Sequence, residues 1–205
     1  MTFCVSPPLL RMDNPTEGLH AYRSVRERRL RSEWALLQTL VALNPNRLSG
    51  PLWQDTVFLV SLLGTPAVPL DAKDRNLCVT EHRLRIVFPV DFPALPMEAY
   101  LANSVFHPNI HPETGFLCLW EKHASTNTVE HALHKTAAML GWSLLARNAQ
   151  HCMQAEARKV AMDPDRLAEI RSQLQAEPLS GVNHREGYVY DAPLSPRRRR
   201  LSSLV

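Results

Sequence analysis

The chain has 205 residues, 45% of them hydrophobic, enough for one folded domain with extensions and too many for global disorder. Its formal net charge is only +3, which gives no basis for a dedicated nucleic-acid binder, and no apolar run approaches the roughly 18–20 residues of a membrane span. The opening MTFCVSPPLLRMDNP lacks a charged-then-apolar signal pattern, and Cys4, Cys78, Cys118 and Cys152 form no C-x-x-C pair, so a cytoplasmic protein with reduced thiols is expected.

Residues 1–15 read as an N-terminal extension. From 16 to 43 the pattern is helical, with Leu30, Trp34, Leu37 and Val41 marking one face, and Asn44-Pro45-Asn46 ends it. Arg23, Arg26, Arg28, Arg29 and Arg31 cluster on this helix, where it is expected to meet water. Nineteen of the basic residues are Arg and four are Lys, the bias of a GC-rich coding sequence, which points toward a bacterial source.

The period then changes. TVFLVSLL, 56–63, is a β-branched apolar run closed by Gly64-Thr65-Pro66. In LCVTEHRLRIVF, Leu84, Ile86 and Phe88 alternate with Arg83, Arg85 and Val87, as in a strand with one buried face. MEAYLA, 97–102, is a further strand, reached through FPVDFPALPM, whose prolines at 89, 93 and 96 make it a stiff connector. Sequential strands with short turns predict an antiparallel meander of about four strands.

After the loop FHPNIHPETGFLCLW the helical period returns, with Val129, Leu133, Ala137, Leu140 and Leu144 on one helix. A second is expected over 149–162 and a third from the Asp163-Pro164 cap to about 175. Residues 177–205, with Arg197 to Arg200, read as a partly ordered basic tail. The fold class is α+β: an N-terminal helix, the meander, an active-site loop and C-terminal helices, with the domain over 16–176.

The loop carries the chemistry. His107 and His111 are four residues apart, but Pro108 and Pro112 forbid the helix that would align them. With Cys118 and His123 they match no recognised zinc spacing, and no metal is expected. Cys118 suits covalent acyl transfer, in which a thiolate attacks an acyl carbon and holds the acyl group as a thioester. Asn109 offers an amide donor for the oxyanion that such a step builds. A thiol that must meet two other proteins needs solvent access, so Cys118 is expected at a surface rather than in the core. His123, just past Cys118, is the candidate acid/base group; His131, His134 and His151 read as surface or core-edge histidines. The competing readings are a plain buried thiol at Cys118 and a turn-capping Asn109.

FPVDFPALP, then His107-Pro108-Asn109, then Gly115-Phe116-Leu117-Cys118-Leu119, then NAQHCMQAEARKV, in this order, resemble the ubiquitin-conjugating enzymes over roughly 23–175. The resemblance implies that Cys118 carries a ubiquitin-like protein as a thioester, accepted from an activating enzyme and passed to a lysine of a protein substrate. It implies that Asn109 stabilises the tetrahedral intermediate or shapes the loop, with His107, Pro108 and Gly115 as its structural frame. Arg23, Arg26, Arg28 and Arg29 fall where family members meet the activating enzyme. No metal or organic cofactor is implied. The chain departs from the family in an Asn-to-Cys spacing of nine, in Trp120 where an acidic residue is usual, and in lacking the Trp about eight residues past the Cys. These departures imply a divergent member, encoded in a bacterial operon with its own modifier. The rivals are a non-catalytic binding module of the same fold and a cysteine hydrolase or metal-dependent enzyme built on Cys118 and nearby His.

Overall fold

The computed structural model of the protein describes residues 15–72, 78–120, 124–145 and 152–181. Helix α1, Pro15–Leu43, leads into strands β1, Leu48–Gln54, β2, Val57–Ala67, β3, Val79–Val87, and β4, Glu98–Leu101. Helices α2, Val129–Leu140, α3, Ala155–Met162, and α4, Pro164–Gln173, follow. The strands form one antiparallel sheet in the order β1-β2-β3-β4. This is the α+β order expected from the sequence.

Two strands differ from expectation for the same reason. β1 was not foreseen, because its LSGPLWQ carries Gly50 at φ 58 and a register shift between Ser49 and Leu52, which breaks the alternation. β2 runs past Gly64-Thr65-Pro66, which reads as a stop. Gly64 adopts φ 61 inside an irregularity between Leu63 and Ala67, so the glycine bends the strand instead of ending it.

The main core lies between the inner sheet face and two helices. Phe58, Val60, Leu62, Leu84, Ile86, Ala99 and Leu101 from the strands meet Leu30, Leu37 and Leu40 of α1 and Leu133, Met139 and Leu140 of α2. The buried face of α1 holds the expected Leu30 and Leu37 but is wider than the expected stripe. Glu33 and Leu40 are buried, while Trp34 and Val41 pack only partly against the core. A carboxylate on the core side is tolerable because it is fully engaged, as described below.

A second cluster joins Phe106, Trp142, Ala157, Ala161, Leu167, Ile170 and Leu174, so the α3–α4 pair packs beneath the loop that precedes Asn109. α2 stops at Gly141, short of the expected Leu144, and Trp142 turns the chain at φ 55. α3 begins only after Gln154; of its expected start, 149–151 lie outside the described residues. α4 starts as predicted, with the Asp163 side chain accepting from the N–H groups of Asp165 and Arg166. The expected domain end at 176 falls inside packed chain. Leu179 is buried in the main core, and Ser180 exchanges two hydrogen bonds with the Asn44 side chain, at 2.7 and 2.9 Å. The 1–14 extension, His151, and the 182–205 tail with Arg197 to Arg200 lie outside the described residues. Among the described residues no helix is long and apolar enough to cross a membrane.

Candidate active site

The loop from Phe106 to Trp120 folds back on itself as a narrow hairpin. Ile110 pairs with Leu117 in antiparallel fashion, the His111 N–H donates to Phe116 O at 2.8 Å, and the Cys118 N–H donates to Asn109 O at 2.9 Å. The nine-residue separation of Asn109 and Cys118 is thereby closed by one backbone hydrogen bond. The turn that closes it is HPETG: His111 O accepts from Gly115 N–H, and His111 Nδ1 accepts from the N–H groups of Glu113 and Thr114.

The returning arm lies along the sheet edge. Gly115 O accepts from Leu101 N–H and Leu117 N–H donates to Ala99 O, both at 2.9 Å. Gly115 has φ +69, and a Cβ there would stand 2.0 Å from Leu101 O. Only glycine fits both the backbone angle and the close approach to β4. Past it, burial alternates: Leu117 and Leu119 point into the core, whereas Phe116, Cys118 and Trp120 are half-buried. Cys118 is thus half-buried, between two buried leucines.

His107 braces the other arm. Its ring is fully buried, with Trp142 edge-on at 5.3 Å between centroids. Its Nδ1 accepts the Asn109 N–H at 3.1 Å, so the neutral ring carries its proton on Nε2. Burial pushes its pKa down to about 3, opposed only weakly by the Leu144 backbone. A histidine held neutral in this way is a turn brace and no proton carrier near neutral pH. Asn109 is itself nearly buried, at 6% exposure.

Three features of the site were not among the expected site residues, although Gln154 lies in the NAQHCMQAEARKV stretch and Trp120 ends the loop itself. Gln154 reaches the hairpin from the segment before α3: its Nε2 donates to Val105 O and Ile110 O, each at 2.8 Å, and its Oε1 accepts from His107 N–H at 3.2 Å. Lys135 of α2 donates to Leu119 O at 2.9 Å and lies 4.7 Å from the centre of the Trp120 ring, while Trp120 Nε1 donates to Met97 O. Trp120 stands where the resemblance leads one to expect an acid, and it is a docked, half-buried side chain. Trp142 seals the buried face of His107. Gln154, Lys135 and Trp142 lie outside the loop, and the folded chain brings them to it.

The arginines divide. Arg23 and Arg28 are exposed. Arg26 donates to Phe88 O at 3.2 Å and Pro89 O at 3.3 Å, and Arg29 donates to Glu33 and to Asn127 O and lies over the Phe92 ring. Two of the four expected partner contacts therefore bind α1 to the proline-rich connector and to the approach to α2. His123 lies outside the described residues. Among the described residues no group of three or more His, Cys, Asp or Glu is arranged to hold a metal ion.

No protein-family model and no curated protein matches the chain. Among solved structures the chain is similar to a putative ubiquitin conjugating enzyme from Plasmodium yoelii, at 18% identity and a TM-score of 0.48, over 74% of this chain and 96% of that one. It is also similar to the E2 domain of a Toxoplasma gondii ubiquitin conjugating enzyme, at 21% identity and a TM-score of 0.44, over 70% and 97% of the two chains. Both TM-scores lie below 0.5, so the chemistry rests on the residues and contacts of this chain.

Proposed function

We propose that this chain is a ubiquitin-conjugating-like transferase acting through Cys118. The observation that supports it most directly is the pairing of half-exposed Cys118 with Asn109 across one backbone hydrogen bond, in a hairpin whose His107 is buried and neutral. Such a site has a nucleophile and an amide donor but, among the described residues, no triad of the kind used to cleave a stable amide. It suits exchange between thioesters, where the leaving thiolate is already good.

In the first step the Cys118 thiolate attacks the modifier's thioester on the activating enzyme. A new C–S bond forms to Cys118, and the activating enzyme's thiolate leaves. In the second step a substrate lysine amine attacks the Cys118 thioester. The amide C–N bond forms, the Cys118 thiolate leaves, and the amine's proton passes to solvent or a neighbouring base, a role for which His123 is the candidate. Asn109 donates to the oxyanion of the tetrahedral intermediate. The partners on this reading are a ubiquitin-like modifier, an activating enzyme whose docking surface includes exposed Arg23 and Arg28, and a lysine-bearing protein in a bacterial cytoplasm.

The test is thioester formation. Incubated with an adenylating enzyme, ATP and a glycine-terminated ubiquitin-like protein, the chain should form an adduct on a non-reducing gel that a reducing agent removes. Cys118→Ala should form none, and Cys118→Lys should give a stable amide. An alanine variant that still charges would move the nucleophile elsewhere and sink this assignment.

A further inference from the structure

We infer that Gln154 is a positioning residue for Asn109 and Cys118, holding the Asn109 arm of the hairpin by its backbone. Its consequence for rate rests on the transferase reading above; its geometry does not. Gln154 occupies the N-cap position of α3, yet its side chain makes no capping bond there. The amide is instead turned into the protein at 7% exposure and spends all of its bonds on the loop: two donated, to Val105 O and Ile110 O, and one accepted, from His107 N–H. The neighbouring Met153 N–H donates to Pro108 O at 2.8 Å. Residues 153 and 154 thus satisfy four backbone groups between 105 and 110, from 44 to 49 positions away for the Gln154 bonds.

Within the hairpin the Cys118 N–H holds Asn109 O, and His107 Nδ1 holds Asn109 N–H. The backbone around Asn109 is therefore clamped between Cys118 and Gln154. Only a primary amide of this length supplies two donors and an acceptor to those three groups. Glutamate keeps the acceptor and loses both donors, asparagine is one methylene short, and methionine keeps the volume with no donor. Releasing the clamp lets the loop drift relative to the thiol. The half-buried thiol remains able to accept an acyl group, but the donor that serves amine attack is displaced.

The experiment compares the wild type with Gln154→Met and Gln154→Glu, below the melting temperature of each. Charging of Cys118 should stay within about twofold, while single-turnover discharge to free lysine slows by roughly 10–100-fold, the scale of a small misplacement of a reacting group. Gln154→Glu should regain part of its discharge rate as pH falls and its carboxyl becomes a donor, a response that Gln154→Met lacks. Hydrogen exchange provides a readout without activity: the His107 amide should exchange at least tenfold faster in Gln154→Met, with the Leu84 amide in the sheet unchanged. Charging and discharge falling together, or unchanged discharge beside faster His107 exchange, would overturn the positioning role. If the wild type never charges, the transferase reading falls; fast His107 exchange confined to the loop still sustains Gln154 as its clamp, and unchanged exchange removes it.

Discussion

Glu33 and Val129 lie 96 positions apart in the chain and are joined by a 2.6 Å hydrogen bond from the Val129 N–H to Glu33 Oε2. Val129 opens α2, whose first N–H groups have no partner within the helix, so the carboxylate of α1 serves as an external cap. The other oxygen, Oε1, takes Arg29 Nε at 2.8 Å. This contact fixes the start of the helix that carries Lys135 to Leu119 O, beside Cys118.

Removing the cap should be costly. Glu33→Ala leaves the buried Val129 N–H without its acceptor and Arg29 with Asn127 O but no carboxylate, and should destabilise by about 3 kcal/mol, read by urea denaturation. The pH dependence runs against the usual carboxylate pattern. Burial holds the Glu33 pKa above its ordinary 4.5, outweighing the Val129 N–H and Arg29. Its contribution is full below about 4.5 and is lost as pH rises through the raised value. Relative to Glu33→Gln, the wild type should therefore lose stability as pH is raised from 4.5. A parallel pair of stability curves would refute the assignment.

His107 works in the opposite window. Its pKa falls from 6.5 unfolded to about 3 folded, so its contribution is present above 6.5 and is lost as pH drops toward 3. Asparagine at 107 keeps an acceptor for the Asn109 N–H and does not titrate. His107→Asn should show a shallower loss of stability between pH 6 and 4 than the wild type, measured by thermal melts across that range.

Asn109 separates an enzyme from a thiol carrier. Asn109→Ala should charge Cys118 at a near-normal rate and discharge to lysine roughly 10²–10³ more slowly, the loss typical of one oxyanion donor. If the residue only holds the loop, charging, discharge and melting temperature should fall together. Unchanged discharge in a stable variant would remove Asn109 from the chemistry.

Gly115→Ala tests the hairpin's seat on β4. The added Cβ meets the Leu101 carbonyl, and φ +69 is strained for alanine, so a loss of about 3 kcal/mol is expected. The melting temperature reports the loss, and proton exchange at Leu101 and Leu117 should accelerate first. A variant as stable as the wild type would mean that the loop seats elsewhere.

The features legible in the residue pattern are the local ones. Alternation of Leu84, Ile86 and Phe88 declares a half-buried strand, and Asp163-Pro164 declares a helix start. Each follows from backbone period or from a side chain capping its own neighbourhood, forces that act within a few residues. β1 and the far end of β2 escaped because Gly50 and Gly64 look like terminators until a partner strand shows them to be bends. The tertiary structure alone decided where buried polar groups find partners. Helical period singles out neither Glu33 nor Lys135, and no local pattern gives Gln154 its loop partners. Each is committed only when the closing chain strips water from a helix end or a loop carbonyl and leaves it needing a partner. That need arises from desolvation, which no local stretch of sequence experiences before the fold forms.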